Sequence, residues 1–101
     1  FYEFGPLKFW PKRFEVIDAN NNTIPLTQKE ANILSLLIKN TNEVLSRDRI
    51  IDSVWGKDSF PSNRTVDNYI VKLRKWCETT PIGPNIQSIR GVGYKFTSEK
   101  E

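Results

Sequence analysis

The sequence predicts an α+β fold: a three-helix core preceded by an antiparallel β-sheet and closed by a β-hairpin. Three observations carry that reading. Apolar and polar residues alternate in short runs over positions 1–26, apolar residues recur with a 3.6-residue period in three stretches between positions 27 and 77, and alternation returns on both sides of Arg90-Gly91-Val92-Gly93. A chain of 101 residues is one domain by length. Folding at this size buries roughly 60–70% of the surface the unfolded chain exposes, enough for one small core.

In the opening segment Phe4, Leu7 and Phe9, then Phe14-Glu15-Val16-Ile17, then Thr23-Ile24-Pro25-Leu26 read as three or four antiparallel strands. Asp18-Ala19-Asn20-Asn21-Asn22 is a turn, because Asn and Asp tolerate left-handed φ and bond their own backbone. Pro25 has no N–H to donate, so its strand lies on a sheet edge or ends there.

Thr27-Gln28-Lys29-Glu30 is a capping box, in which the Thr27 hydroxyl and the Glu30 carboxylate each satisfy an orphan N–H at a helix start. The first helix runs to about Lys39, buries Ile33, Leu34, Leu37 and Ile38, and ends at Asn40-Thr41-Asn42. Ser46 caps a second helix with Ile50, Ile51, Val54 and Trp55 on one face and Arg47, Asp48, Arg49 and Asp52 on the other; Gly56 stops it. A short loop leads to Pro61.

The stretch 62–77 is the one the chain is organised around. Ser62 or Asn63 caps a helix over 63–77, in which Val66, Ile70, Leu73 and Cys77 fall within about a 60° arc, flanked by Tyr69 and Trp76. The opposite arc carries Arg64, Asn68, Val71, Lys72 and Lys75. A basic polar face is by default a solvated surface. Its neighbours say more: after the irregular Pro81-Ile82-Gly83-Pro84, Ile86-Gln87-Ser88-Ile89 and Tyr94-Lys95-Phe96 form a hairpin with Arg90 at its tip. Two short helices joined tightly, the second basic on its outer face and followed by such a hairpin, make a winged helix-turn-helix. A helix fits the major groove of B-DNA, and an arginine on an adjoining hairpin reaches the minor groove, where phosphates on both walls deepen the negative potential.

Composition narrows the function classes. Net charge is only +3, but residues 63–95 hold six basic and two acidic side chains, a balance of +4 that leaves −1 for the rest. The chain has no His and one Cys, so there is no zinc spacing, no internal disulfide and no nucleophile–base pair; no catalytic, metal or cofactor site emerges. Cys77 lies on the apolar helix face as a small hydrophobe, and a reducing cytoplasm fits. Gly91-Val92-Gly93 sits in a hairpin with no helix after it, unlike a nucleotide loop. No apolar run approaches the ~20 residues of a membrane span. The chain opens on Phe1 without a signal-peptide pattern, and the expectation is a segment of a longer protein. The competing readings are a winged helix that binds only protein, distinguished by a shallow salt dependence, and an enzyme.

Six motifs, Leu26-Thr27-x-x-Glu30, Leu45-Ser46-Arg47, Val54-Trp55-Gly56, Arg64-Thr65-Val66-Asp67, Leu73-Arg74-Lys75 and Ile89-Arg90-Gly91-Val92-Gly93-Tyr94, run in order along essentially the whole chain. Together they resemble the OmpR/PhoB-type effector domain of two-component response regulators. The resemblance implies a four-stranded N-terminal sheet, sequence-specific control of transcription as the output of a phosphorelay, and a receiver domain that is absent from this chain. It further implies that Arg64 and Thr65 meet phosphates at the start of the recognition helix, that Asn68, Val71 and Lys72 face base edges, and that Arg74 and Lys75 meet the DNA backbone. Arg90, with Gly91 beside it, matches the minor-groove residue of the wing, and Trp55 and Tyr94 match positions near the phosphates. The loop 56–62 resembles a segment that touches RNA polymerase in some members, and a dimer on DNA is implied for the full-length protein. Position 71 is Val where many relatives carry a basic residue, and position 69 is Tyr where His is frequent. Val71 can touch a thymine methyl but cannot bind guanine in bidentate fashion.

Overall fold

The computed structural model describes residues 1–56 and 61–98. Four short strands, β1 (Tyr2–Phe4), β2 (Leu7–Trp10), β3 (Glu15–Ile17) and β4 (Thr23–Pro25), form an antiparallel sheet in chain order, so the proline strand lies on an edge as its missing N–H requires. Between β3 and β4 the Asp18 carboxylate accepts the N–H groups of Asn20 and Asn22, each at 2.9 Å, and Asn21 adopts φ 64°. A 3-10 turn at Pro11–Arg13 follows β2; the sequence reading passed over it, since three residues show no period.

Helix α1 (Gln28–Lys39) begins with both halves of the capping box formed: Thr27 Oγ1 accepts from Glu30 N, and Glu30 Oε1 accepts from Thr27 N at 2.7 Å. α2 (Arg47–Val54) is capped by Ser46, and α3 (Asn63–Cys77) by Ser62, whose hydroxyl accepts from Thr65 N. One core joins these elements. It contains Leu7, Phe9 and Val16 from the sheet, Ile33, Leu34 and Leu37 from α1, Ile50 from α2, and Val66, Ile70, Leu73, Trp76 and Cys77 from α3. The first sheet is tied to α3 by a polar bond as well, the Trp76 indole N–H donating to the Ile17 carbonyl at 3.0 Å, and just beyond both elements Thr79 Oγ1 accepts from Ala19 N at 3.1 Å.

The expected closing hairpin, β6 (Asn85–Ile89) and β7 (Gly93–Thr97), is present but is two-thirds of a sheet. A third strand, β5 (Val44–Ser46), pairs antiparallel with the other side of β7, giving the order β5-β7-β6. β5 escaped the sequence reading because its last residue also caps α2 and its partner strand β7 lies half the chain away. Gly93 owes its identity to this pairing: a Cβ there would lie 1.9 Å from the Leu45 carbonyl oxygen, so only glycine lets β5 close on β7. Three helices with this hairpin constitute a winged helix-turn-helix. No helix among the described residues is long and apolar enough to cross a membrane.

Candidate nucleic-acid interface

The helical period of α3 separates its two faces as the sequence requires. Val66, Ile70 and Leu73 are buried, and Arg64, Asn68, Val71, Lys72 and Lys75 are exposed, Val71 at 49%. Val71 thus places an aliphatic side chain half in water on an otherwise polar face. Among the described residues Arg64 and Lys75 have no hydrogen-bond or ion-pair partner, which leaves both cations available to an external anion. Thr65 is half-buried, its hydroxyl 3.1 Å from that of Ser62 within the cap.

Lys72 differs from its neighbours. Its ammonium lies 3.0 Å from Glu30 Oε2, 3.1 Å from Glu30 Oε1 and 3.2 Å from the Pro25 carbonyl, so it bonds back to the start of α1. Arg74 is likewise engaged: Nε donates to the Ile86 carbonyl at 3.1 Å and a terminal nitrogen donates to Ser88 Oγ at 2.8 Å. It fastens α3 to β6 and thereby sets how the hairpin stands against the helix.

Arg90 occupies the turn between β6 and β7 and is exposed along with Gly91 and Val92. Gly91 takes φ +76°, a conformation that costs other residues about 1–2 kcal/mol, and the turn is closed by Val92 N donating to the Ile89 carbonyl at 2.9 Å.

Tyr94, matched by resemblance to a position near phosphates, is buried, and its hydroxyl donates to Asp67 Oδ1. Arg47 donates to the same oxygen through Nε at 2.8 Å, and its guanidinium lies 5.2 Å from the Tyr94 ring centroid. Burial pushes the Asp67 carboxyl up, but the Tyr94 hydroxyl and the Arg47 guanidinium outweigh it and hold the group below the ordinary carboxylate range. Tyr94 is pushed the other way, by burial first and then by its bond to the Asp67 carboxylate, so it stays a donor. Three elements, α2, α3 and β7, meet at this one oxygen. Trp55, at the end of α2, is half-buried between the Tyr69 ring at 5.8 Å and the Lys29 ammonium at 5.4 Å. Sequence reasoning placed Arg47 on the face of α2 opposite its apolar residues and Glu30 in a cap, because the partners that give them further roles lie 20 and 42 positions away. Of the loop 56–62, residues 57–60 lie outside the described residues.

A family model described as transcriptional regulatory protein, C terminal, matches residues 21–96. The sensory transduction protein RegX3 of Mycobacterium tuberculosis is 37% identical over 95 residues, covering 93% of this chain and 41% of RegX3. This chain thus spans under half the length of that relative. Among solved structures, the DNA-binding domain of Bacillus subtilis CssR is 36% identical with a TM-score of 0.68, over 82% of this chain and 90% of the other. The DNA-binding domain of the response regulator AdeR, solved in complex with an intercistronic region, is 26% identical with a TM-score of 0.71, over 97% and 98%.

Proposed function

Because this chain belongs to the family of transcriptional regulatory protein C-terminal domains, we propose that it binds double-stranded DNA sequence-specifically and regulates transcription as the cytoplasmic output domain of a two-component response regulator. One observation carries the reading: an exposed α3 face, on which Arg64 and Lys75 have no partner among the described residues, stands beside a hairpin whose exposed tip is Arg90. In this reading α3 lies in the major groove. Arg64, Thr65 and Lys75 meet phosphates, and Asn68 and Val71 face base edges, where an amide pairs with adenine and an isopropyl group with a thymine methyl. Arg90 enters the minor groove, and Gly91 lets the backbone come close. Arg74, Tyr94 and Trp55 support the surface from behind. A receiver domain ahead of the chain, a dimer on DNA and a contact of loop 56–62 with RNA polymerase complete the proposal.

The test is a fluorescence-anisotropy titration against duplex DNA at stepped salt concentrations. Log affinity falls linearly with log salt, each neutralised phosphate contributing about 0.9 to the slope. Affinity that does not change with salt overturns the reading and points to a protein partner for the same face.

A further inference from the structure

Lys72 stands on the exposed face of α3, yet its ammonium is occupied inside the protein. Three oxygens, two from Glu30 and one from Pro25, lie within hydrogen-bond distance of its three N–H donors. The lysine side chain is 44% exposed and its partner's only 4%, so the pair is wet at one end and dry at the other. Glu30 is fixed in place, because Oε1 also accepts the Thr27 N–H that starts α1.

This asymmetry decides what happens when DNA approaches. A phosphate offers Lys72 a partner in a solvated, salt-screened setting, where one ion pair gains little. Moving there would leave the Glu30 carboxylate buried without its cation, and removing one member of a buried pair is far costlier than the pair itself.

From this geometry we infer that Glu30 withholds Lys72 from DNA, so that the centre of the α3 face is read by the neutral residues Asn68 and Val71. Glu30 is then a positioning residue that determines specificity from outside the interface. The inference rests on the DNA-binding reading above. Its chemical consequence is a preference for A·T pairs at the centre of the α3 contact, because the side chain that could bind guanine there is held back.

The experiment is a double-mutant cycle of Glu30→Gln and Lys72→Ala, titrated against a random-sequence duplex over a range of salt. Glutamine at this capping-box position still accepts the Thr27 N–H but carries no charge. Glu30→Gln is expected to steepen the log–log salt slope by about 0.9, the signature of one added phosphate contact and not of a changed cap. Lys72→Ala is expected to lower affinity less than about threefold in the otherwise wild-type protein and about tenfold in the Glu30→Gln background. Equal losses in both backgrounds overturn the inference. So does a wild-type slope that Lys72→Ala reduces by about 0.9, a measurement that does not require Glu30→Gln to fold. Absence of DNA binding by the wild-type protein at low salt rejects the DNA-binding reading itself, a result distinct from either.

Discussion

Arg90 stands at the exposed tip of the β6–β7 turn, beside Gly91 at φ +76°, and in the proposed reading its side chain enters the minor groove. A guanidinium is weakly hydrated and enters a narrow, negatively charged groove more readily than an ammonium does. A-tracts narrow the minor groove and deepen its potential. Arg90→Ala is therefore expected to weaken binding by about 1 kcal/mol more on a duplex flanked by an A-tract than on one flanked by G·C pairs, with Arg90→Lys recovering part of the difference. Affinities of the three proteins on two duplexes that differ only in the flank check this, and a constant ratio between flanks places Arg90 outside the groove. At this scale the sequence was legible where exposure follows from the helical period: Arg64, Asn68, Val71 and Lys75 face solvent as the wheel requires. It was silent where a partner comes from another element. Nothing local to Lys72, Arg74 or Tyr94 announces Glu30, Ser88 or Asp67.

The helices were readable because each start carries its own chemistry, Thr27 with Glu30, then Ser46, then Ser62, all of which cap as their residue types demand. The strands of the wing were half readable. β6 and β7 announce themselves by alternation around a Gly-bearing turn, whereas β5 runs straight into the cap of α2 and has no partner strand near it in sequence. The two glycines of that turn consequently differ in kind. Gly91 needs only its left-handed φ and has open space around it, but Gly93 needs the absence of any side chain. Gly91→Ala is expected to cost about 1 kcal/mol, and Gly93→Ala about 2–3 kcal/mol because β5 must shift away from β7. Urea denaturation of both variants measures the order, and equal midpoints would show that the β5–β7 approach is not tight in solution.

Among the described residues, three carboxyl groups, those of Asp18, Glu30 and Asp67, lie below their ordinary range. Asp18 is held down by the N–H groups of Asn22 and Asn20, while in Glu30 and Asp67 burial is outweighed by hydrogen-bond donors. Each has a lower pKa folded than unfolded, so its stabilisation is fully present above the ordinary carboxylate range and is lost as pH falls through the folded-state value. The melting temperature is expected to hold from neutrality to about pH 5 and to drop below it, and Asp67→Asn is expected to lower it at neutrality and flatten the drop. Circular-dichroism melts at stepped pH provide the check; a wild-type melting temperature unchanged between about pH 6 and pH 3 contradicts it. The pairing of Leu45 with Tyr94 has a consequence in time. A loop holding half the chain must close before β5 meets β7, whereas β6 and β7 zip together across a short turn. The tip that carries Arg90 thus belongs to a fast, local event, and the pairing of β5 with β7 is expected to be a later one. The β5 amide protons bonded to β7 are accordingly expected to reach solvent only through opening of the closed loop, so this three-residue strand acts as a latch on the hairpin.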